Sequence, residues 1–145
     1  MGLKEEYSKE TISALEKCQF IEDKLKDCIL TAIEINRISK KNKYAIKCKA
    51  EDIEKKPLGS LIKEFEKMND DTELHNELWN FKDERNNIAH ASQLFTLGEL
   101  EDEDHMLVAI EKMRERTTQA GFLHARILEI FWKLLRQKRD FEVKL

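Results

Sequence analysis

The chain has 145 residues, the length of one domain, and contains only four glycines and one proline. So few turn-forming residues exclude an all-β sandwich or barrel, and no glycine pair has the spacing of a Rossmann or P-loop site. Charged residues make up 38% of the chain beside 41% apolar residues, a composition typical of long amphipathic helices. The net charge of −3 excludes a basic nucleic-acid coat protein, so any nucleic-acid contact must come from a local patch. The sequence therefore predicts an all-α fold: a bundle of about four to six helices forming a single domain over residues 1–145.

Membrane and secretion signals are missing from the sequence. No apolar run approaches the roughly 18 residues of a membrane span, and the N-terminus, acidic from Glu5 onward, lacks the apolar core of a signal peptide. The three cysteines, Cys18, Cys28 and Cys48, form no C-x-x-C pair. We therefore expect a cytoplasmic protein with free thiols and no membrane partner.

A long first helix is predicted by nine residues whose spacing alternates between four and three. They are Tyr7, Thr11, Ala14, Cys18, Ile21, Leu25, Cys28, Ala32 and Ile35. Residues 39–58 interrupt this pattern, and their first part, the lysine segment Lys40–Lys49, holds five lysines and no acid. Such a segment suits contact with a phosphate backbone, with one aromatic ring for stacking, or else a solvated connector. The candidate RNA-binding residues are Lys40, Lys41, Lys43, Tyr44 and Lys47.

Start signals for two further helices follow the lysine segment. Ser60, after a proline and a glycine, predicts the N-cap of a short helix over Leu61–Met68. Asp70 predicts the next N-cap, with Glu73 placed to complete a capping box.

The helix that begins near Asp70 carries an arginine at an apolar position. Its predicted buried stripe is Leu74, Leu78, Phe81, Arg85 and Ile88. An arginine buried without a partner is costly, so Arg85 requires a carboxylate, a ligand or a subunit boundary.

A loop and one more long helix complete the chain. Gly98 and the acidic run Glu99–Asp104 predict a loop whose carboxylates cap the following helix, because the run lacks the residue order of a calcium loop. Gly121 interrupts the final helix and is expected to allow a close crossing or a kink. The last buried stripe is Met106, Ile110, Met113, Thr117, Ala120, His124, Ile127, Phe131 and Leu134.

The strongest chemical signal is the string Glu84-Arg85-Asn86-Asn87-Ile88-Ala89-His90. None of the four histidines has metal-ligand spacing to a cysteine or another histidine, so neither a zinc site nor another cofactor is expected. The string Arg-Asn-x-Ile-Ala-His, together with the upstream Leu-Gly-x-Leu-Ile, resembles the HEPN superfamily. Its signature is an arginine, a polar residue and then a histidine after a gap of four to six. The specific similarity covers about residues 57–91 and assigns Arg85, Asn86 and His90 to the motif.

The resemblance implies a metal-independent endoribonuclease that acts as a homodimer, with two Arg/His motifs facing one composite cleft. In that scheme His90 takes the proton from a ribose 2′-hydroxyl, and Arg85 stabilises the charged phosphorane. Asn86 positions the phosphate or holds the His90 ring. A toxin or phage-defence role and an antitoxin partner are also implied. Ser92 stands where many such toxins carry a modified tyrosine, which argues against that mode of neutralisation.

Two other interpretations remain open. A similar Arg-Asn-x-x-Ala-His string occurs in mannitol-repressor-like helical proteins, which implies a non-catalytic module that binds a nucleotide or regulates. Alternatively, the chain is a helical oligomer in which Arg85 pairs with a glutamate such as Glu84 or Glu77.

Overall fold

The computed structural model describes residues 2–96 and 103–144, and gives side chains for 2–90 and 103–144. It contains α1 (Leu3–Ser39), a 3-10 helix (Ala50–Lys55), α2 (Leu58–Glu66), α3 (Thr72–Thr96) and α4 (Glu103–Val143). Every regular element in these two ranges is a helix, which confirms the all-α prediction. No helix within them is apolar enough over a sufficient length to cross a bilayer.

The buried faces of the long helices follow the predicted stripes. All nine predicted stripe residues of α1 are buried, from Tyr7 to Ile35. In α4, six of the nine predicted positions are buried, while Thr117, His124 and Phe131 are half-buried. Periodic burial of this kind arises because residues three and four apart share one face of a helix. The two stripes and the apolar residues of α2 and α3 form one continuous hydrophobic cluster.

The two longest helices, α1 and α4, lie side by side and run in the same direction. Their contacts advance together along both helices: Glu6 pairs with Arg114, the Phe20 ring lies 6.1 Å from the His124 ring, and Lys24 lies over Phe131. A parallel pair requires the chain to return between the two helices. This return is made by α3, which runs opposite to α4, because Glu77 pairs with Arg126 and Glu84 pairs with Arg116.

The starts of α2 and α3 differ from the predicted ones by one to three residues. Helix α2 begins at Leu58, with Pro57 in the N-cap position, so Ser60 lies inside the first turn and the Ser60 cap prediction is wrong. Leu58 is buried, and its packing extends the helix toward the proline. At α3 the cap is Asp71, whose Oδ1 accepts a hydrogen bond from the Leu74 backbone N–H at 3.0 Å. Asp70, the predicted cap, contributes only its backbone carbonyl, which accepts from the Thr72 N–H.

Two further sequence expectations concern α4. Glu103 and Asp104 form part of its first turn, where carboxylates complement the helix dipole, while Gly98 and residues 99–102 lie outside the described residues. Gly121 lies within the continuous helix, and no atom outside its chain neighbours and the surrounding helix backbone lies within 4 Å of the place where its Cβ would be. The expected close crossing at Gly121 is therefore not found among the described residues.

Candidate functional site

Arg85 obtains its counter-charge from α1. Its Nη2 lies 3.0 Å from Oε1 of Glu22, and 42% of the Arg85 side chain is exposed against 14% for Glu22. Glu22 therefore supplies the carboxylate that was expected for an arginine at this position. Glu84 and Glu77 pair instead with Arg116 and Arg126 of α4, so neither of the partners named from the sequence is correct.

The partner of Arg85 follows from the directions of side chains around α3. Successive residues on a helix point about 100° apart, so Arg85 faces α1 while Glu84 faces α4. Glu22 lies one turn from both Cys18 and Leu25 and therefore borders the buried stripe of α1. A glutamate at the edge of an apolar stripe was the only sequence signal for this pair.

Asn86 and His90 lie on the outer side of α3, where both are exposed to solvent. The helix continues without a break to Thr96, so the chain does not bend between Arg85 and His90. In a continuous helix these two positions lie about 140° apart in direction and about 7.5 Å apart along the axis. One copy of the chain therefore does not direct the two side chains at the same point. The side chain of Ser92 lies outside the described ones.

The chemistry available at Arg85 is that of an anion site. Guanidinium offers five N–H donors, and a single carboxylate leaves several of them available on the exposed side. The neighbouring Cys18 is buried, and burial raises the pKa of its thiol to about 11, even though the positive charge of Arg85 acts in the opposite direction. Cys18 is consequently a protonated thiol at neutral pH, without nucleophilic character.

The lysine segment is held in place by its tyrosine. The Tyr44 hydroxyl donates to Oε1 of Gln137 at 2.6 Å, and its backbone exchanges two hydrogen bonds with the Asn36 side chain. The ring is half-buried, and burial raises the pKa of Tyr44. Lys43 lies over this ring and over the Phe141 ring, at 5.9 Å and 5.8 Å from their centroids. Tyr44 thus anchors the segment to α4.

The structure does not bring the lysine segment and Arg85 together. Lys40, Lys41, Lys43 and Lys47 are exposed and follow α1 in the chain, where Lys40 adopts a left-handed conformation. Tyr44, in the middle of the segment, bonds to Asn36, which lies 14 residues after Glu22, the partner of Arg85. This separation corresponds to about 21 Å along α1.

A groove between α3 and α4 was not expected from the sequence. Its volume is about 390 Å³, and the buried side chains of Phe81, Ile88 and Leu123 lie at its base, where α1 contributes Cys18. Glu84 and Arg116 line its mouth, with 2.6 Å between Oε2 and Nε. Neither Arg85 nor His90 lines this groove. The groove is formed by the packing of three helices, so no sequence motif predicts it.

No group of three or more histidine, cysteine, aspartate or glutamate side chains that could hold a metal ion occurs in the described parts of the chain. Comparison of the chain with protein-family models, with curated proteins and with solved structures found no match. The resemblance to the HEPN superfamily therefore depends on the motif residues Arg85, Asn86 and His90 and on their surroundings in the sequence.

Proposed function

We propose that this protein is a metal-independent endoribonuclease of HEPN type that acts as a homodimer, in the role of a toxin or phage-defence effector. The observation that supports the proposal best is the arrangement of α3. It presents Arg85, steadied by Glu22, and an exposed His90 on different sides of one unbroken helix. A second copy of the chain is then required to complete a site that uses both groups. We expect the enzyme to act on RNA in the cytoplasm and to be restrained there by an antitoxin protein.

The proposed reaction uses the ribose itself as the nucleophile. His90 acts as the general base and takes the proton of a 2′-hydroxyl. The 2′-oxygen attacks the adjacent phosphorus, the bond from phosphorus to the 5′-oxygen breaks, and that oxygen leaves as a hydroxyl after taking up a proton. Arg85 donates paired hydrogen bonds to the phosphorane oxygens, and Asn86 orients the phosphate. The products are a 2′,3′-cyclic phosphate and a 5′-hydroxyl.

Cleavage of RNA in excess EDTA tests this proposal. Wild-type protein is expected to cut RNA into fragments with cyclic phosphate ends and to leave DNA intact, since DNA lacks the 2′-hydroxyl. Removal of a general base or of a charged phosphate ligand typically costs at least about 100-fold in rate. We therefore expect His90→Ala and Arg85→Ala to lose at least that much activity while keeping their helical content.

The matched control is Asp83→Ala, which changes an exposed residue two turns before His90 on the same helix. This control is expected to cut RNA at the wild-type rate. Cleavage that survives His90→Ala, or that disappears in EDTA, would contradict the proposed mechanism.

A non-catalytic nucleotide-binding or regulatory module is the second candidate. It is favoured by one observation: the Arg85 guanidinium already has a carboxylate partner, as in a structural or ligand-holding network. A nucleotide that co-purifies with the protein, detected as excess absorbance at 260 nm and lost in Arg85→Ala, is the result expected for this module. The ribonuclease proposal expects no such nucleotide.

A further inference from the structure

The groove between α3 and α4 has an apolar base that carries no charge. Phe81, Ile88 and Leu123 are buried side chains of this base. Cys18 adds a thiol that stays protonated at neutral pH, because burial raises its pKa to about 11. Covering such a base with apolar atoms is favourable in proportion to the apolar area that leaves water. The base therefore suits the apolar part of a ligand.

The mouth of the groove holds an arginine whose hydrogen-bonding capacity is only partly used. Arg116 pairs with Glu84 and has no second partner among the described residues. A guanidinium carries five N–H donors, so most of those of Arg116 are available to a ligand. The Arg116 side chain is 22% exposed, against 43% for Glu84. Water therefore screens the carboxylate of the pair more than the guanidinium, and the site favours an anion.

The other residues at the mouth are compatible with an anionic ligand that has an apolar body. Glu77 is the second acidic residue that lines the groove, and its charge is compensated by Arg126. Phe122 borders the groove and is 71% exposed, although its ring is apolar. A ligand in the groove covers part of this ring and removes it from water.

The size of the groove indicates a small molecule as its occupant. Ligand pockets typically measure about 300–1,000 Å³, and this groove has a volume of about 390 Å³. Two ion pairs join α3 to α4 across it, through Glu77 and Glu84 of α3. These glutamates are seven residues apart, or about 10 Å along the helix axis. The space between the two pairs matches a small ligand better than a helix of a partner protein.

We propose that the groove binds a small amphipathic carboxylate, whose apolar chain packs on the base and against Phe122 and whose carboxylate accepts hydrogen bonds from Arg116. A carboxylate suits this position because its two oxygens match the paired N–H donors of a guanidinium. Glu84 occupies one side of the guanidinium and the ligand occupies another. The apolar chain supplies affinity, and Arg116 selects the charged head group.

This site goes beyond the proposed function and does not rest on it. Neither Arg85 nor His90 lines the groove, and its test contains no RNA. Binding of the carboxylate by a protein that cuts no RNA would leave the site in place and remove the proposed function. RNA cleavage by a protein that binds no carboxylate would do the opposite.

Isothermal titration calorimetry of the full chain with hexanoate, octanoate and decanoate measures the binding. We expect one ligand per chain, and a Kd that falls about fourfold for each added methylene, because each methylene buries further apolar area. Octanol has the same chain length as octanoate without the charge. It is expected to bind at least about tenfold more weakly, since it forms no charge-assisted hydrogen bonds with Arg116.

Three charge variants separate the role of Arg116 from a general effect of charge. Arg116→Gln is expected to weaken octanoate at least about tenfold and to leave octanol within about twofold. Glu84→Gln is expected to tighten octanoate about threefold, because it removes the carboxylate that competes for Arg116. Lys112→Gln is the matched control: Lys112 is an exposed cation one turn before Arg116 that does not line the groove. This control is expected to stay within about twofold of wild type.

A fourth variant locates the ligand. Gln119 is exposed and lines the groove, so Gln119→Trp is expected to weaken octanoate and octanol alike, at least about tenfold, by filling the space. Circular dichroism checks that each variant keeps its helices. A wild-type chain without saturable octanoate binding up to about 5 mM would overturn the proposal. So would equal affinities for octanoate and octanol, or an equal loss of octanoate affinity in Arg116→Gln and Lys112→Gln.

Discussion

The ion pair between Glu22 and Arg85 joins a largely buried carboxylate to a guanidinium that is partly open to solvent. Only 14% of the Glu22 side chain is exposed, so this carboxylate has given up most of its hydration. Arg85 compensates for that loss with its positive charge, 3.0 Å away, and it retains donors on its outer side. The pair thus stabilises the packing of α3 on α1 and at the same time holds Arg85 in one orientation.

We predict that Glu22→Gln lowers the free energy of unfolding by about 1 kcal/mol, because the substitution removes one charge of a partly exposed ion pair. Urea denaturation followed by circular dichroism measures the change. Glu16→Gln, at an exposed position on the same helix, is the control and is expected to stay within about 0.5 kcal/mol of wild type. Equal stabilities of Glu22→Gln and Glu16→Gln would show that the pair contributes nothing.

At the scale of the elements, the start of α3 is capped by the side chain of Asp71. The Asp71 carboxylate accepts from the Leu74 N–H, and a second oxygen lies 3.1 Å from Nη2 of Arg126. The hydrogen bond from Leu74 is the main cause that holds the pKa of Asp71 below its ordinary value, and Arg126 adds to it. This side chain therefore couples the cap of α3 to the position of α4.

The cap makes stability depend on pH in a defined direction. A carboxyl whose pKa is lowered by folding stabilises the protein above the pKa of the unfolded chain, near 3.9, and loses that contribution as the pH falls through its folded-state pKa. We expect Asp71→Ala to be less stable than wild type at pH 7, and the difference to shrink below about pH 4. Asp70→Ala, one residue earlier, is expected to match wild type at both pH values. Thermal denaturation at several pH values measures this, and a difference that is the same at pH 3 and pH 7 would contradict the assignment.

At the scale of the whole molecule, α3 runs opposite to both long helices. Because α3 is unbroken from Thr72 to Thr96, Arg85 and His90 point in different directions within one copy. If the composite cleft pairs Arg85 of one copy with His90 of the other, the cleft of a dimer of Arg85→Ala with His90→Ala contains one intact pair and one doubly altered pair. The two variants are inactive alone in that scheme.

We predict that equal amounts of the two variants, allowed to exchange subunits, recover about a quarter of wild-type RNA cleavage, because half of the dimers are mixed and each has one working site. Cleavage of a labelled RNA in EDTA measures the recovery. Each variant incubated with itself is the control. A mixture that stays inactive, although mass spectrometry detects mixed dimers, would place Arg85 and His90 of one copy in the same site.

Much of the secondary structure was predictable because its signals are local. All nine residues of the stripe from Tyr7 to Ile35 are buried, since only helical periodicity produces that alternation, and Ile29 and Thr31 are buried in addition. The caps were less predictable. Ser60 and Asp70 have suitable side chains, but the burial of Leu58 and the hydrogen bond of Asp71 determine where α2 and α3 begin. Several neighbouring residues can cap a helix, and tertiary packing selects among them.

The helical class, most of the buried faces of α1 and α4, and the motif of Arg85, Asn86 and His90 could be read from the sequence, because each depends on spacing along one segment. Three other features became visible in the fold alone: Glu22 as the partner of Arg85, the parallel course of α1 and α4, and the groove beside Phe122. These features depend on how side chains of different helices are turned toward one another. Sequence periodicity defines the apolar face of each helix, but the choice of which face meets which is made by packing the whole core at once.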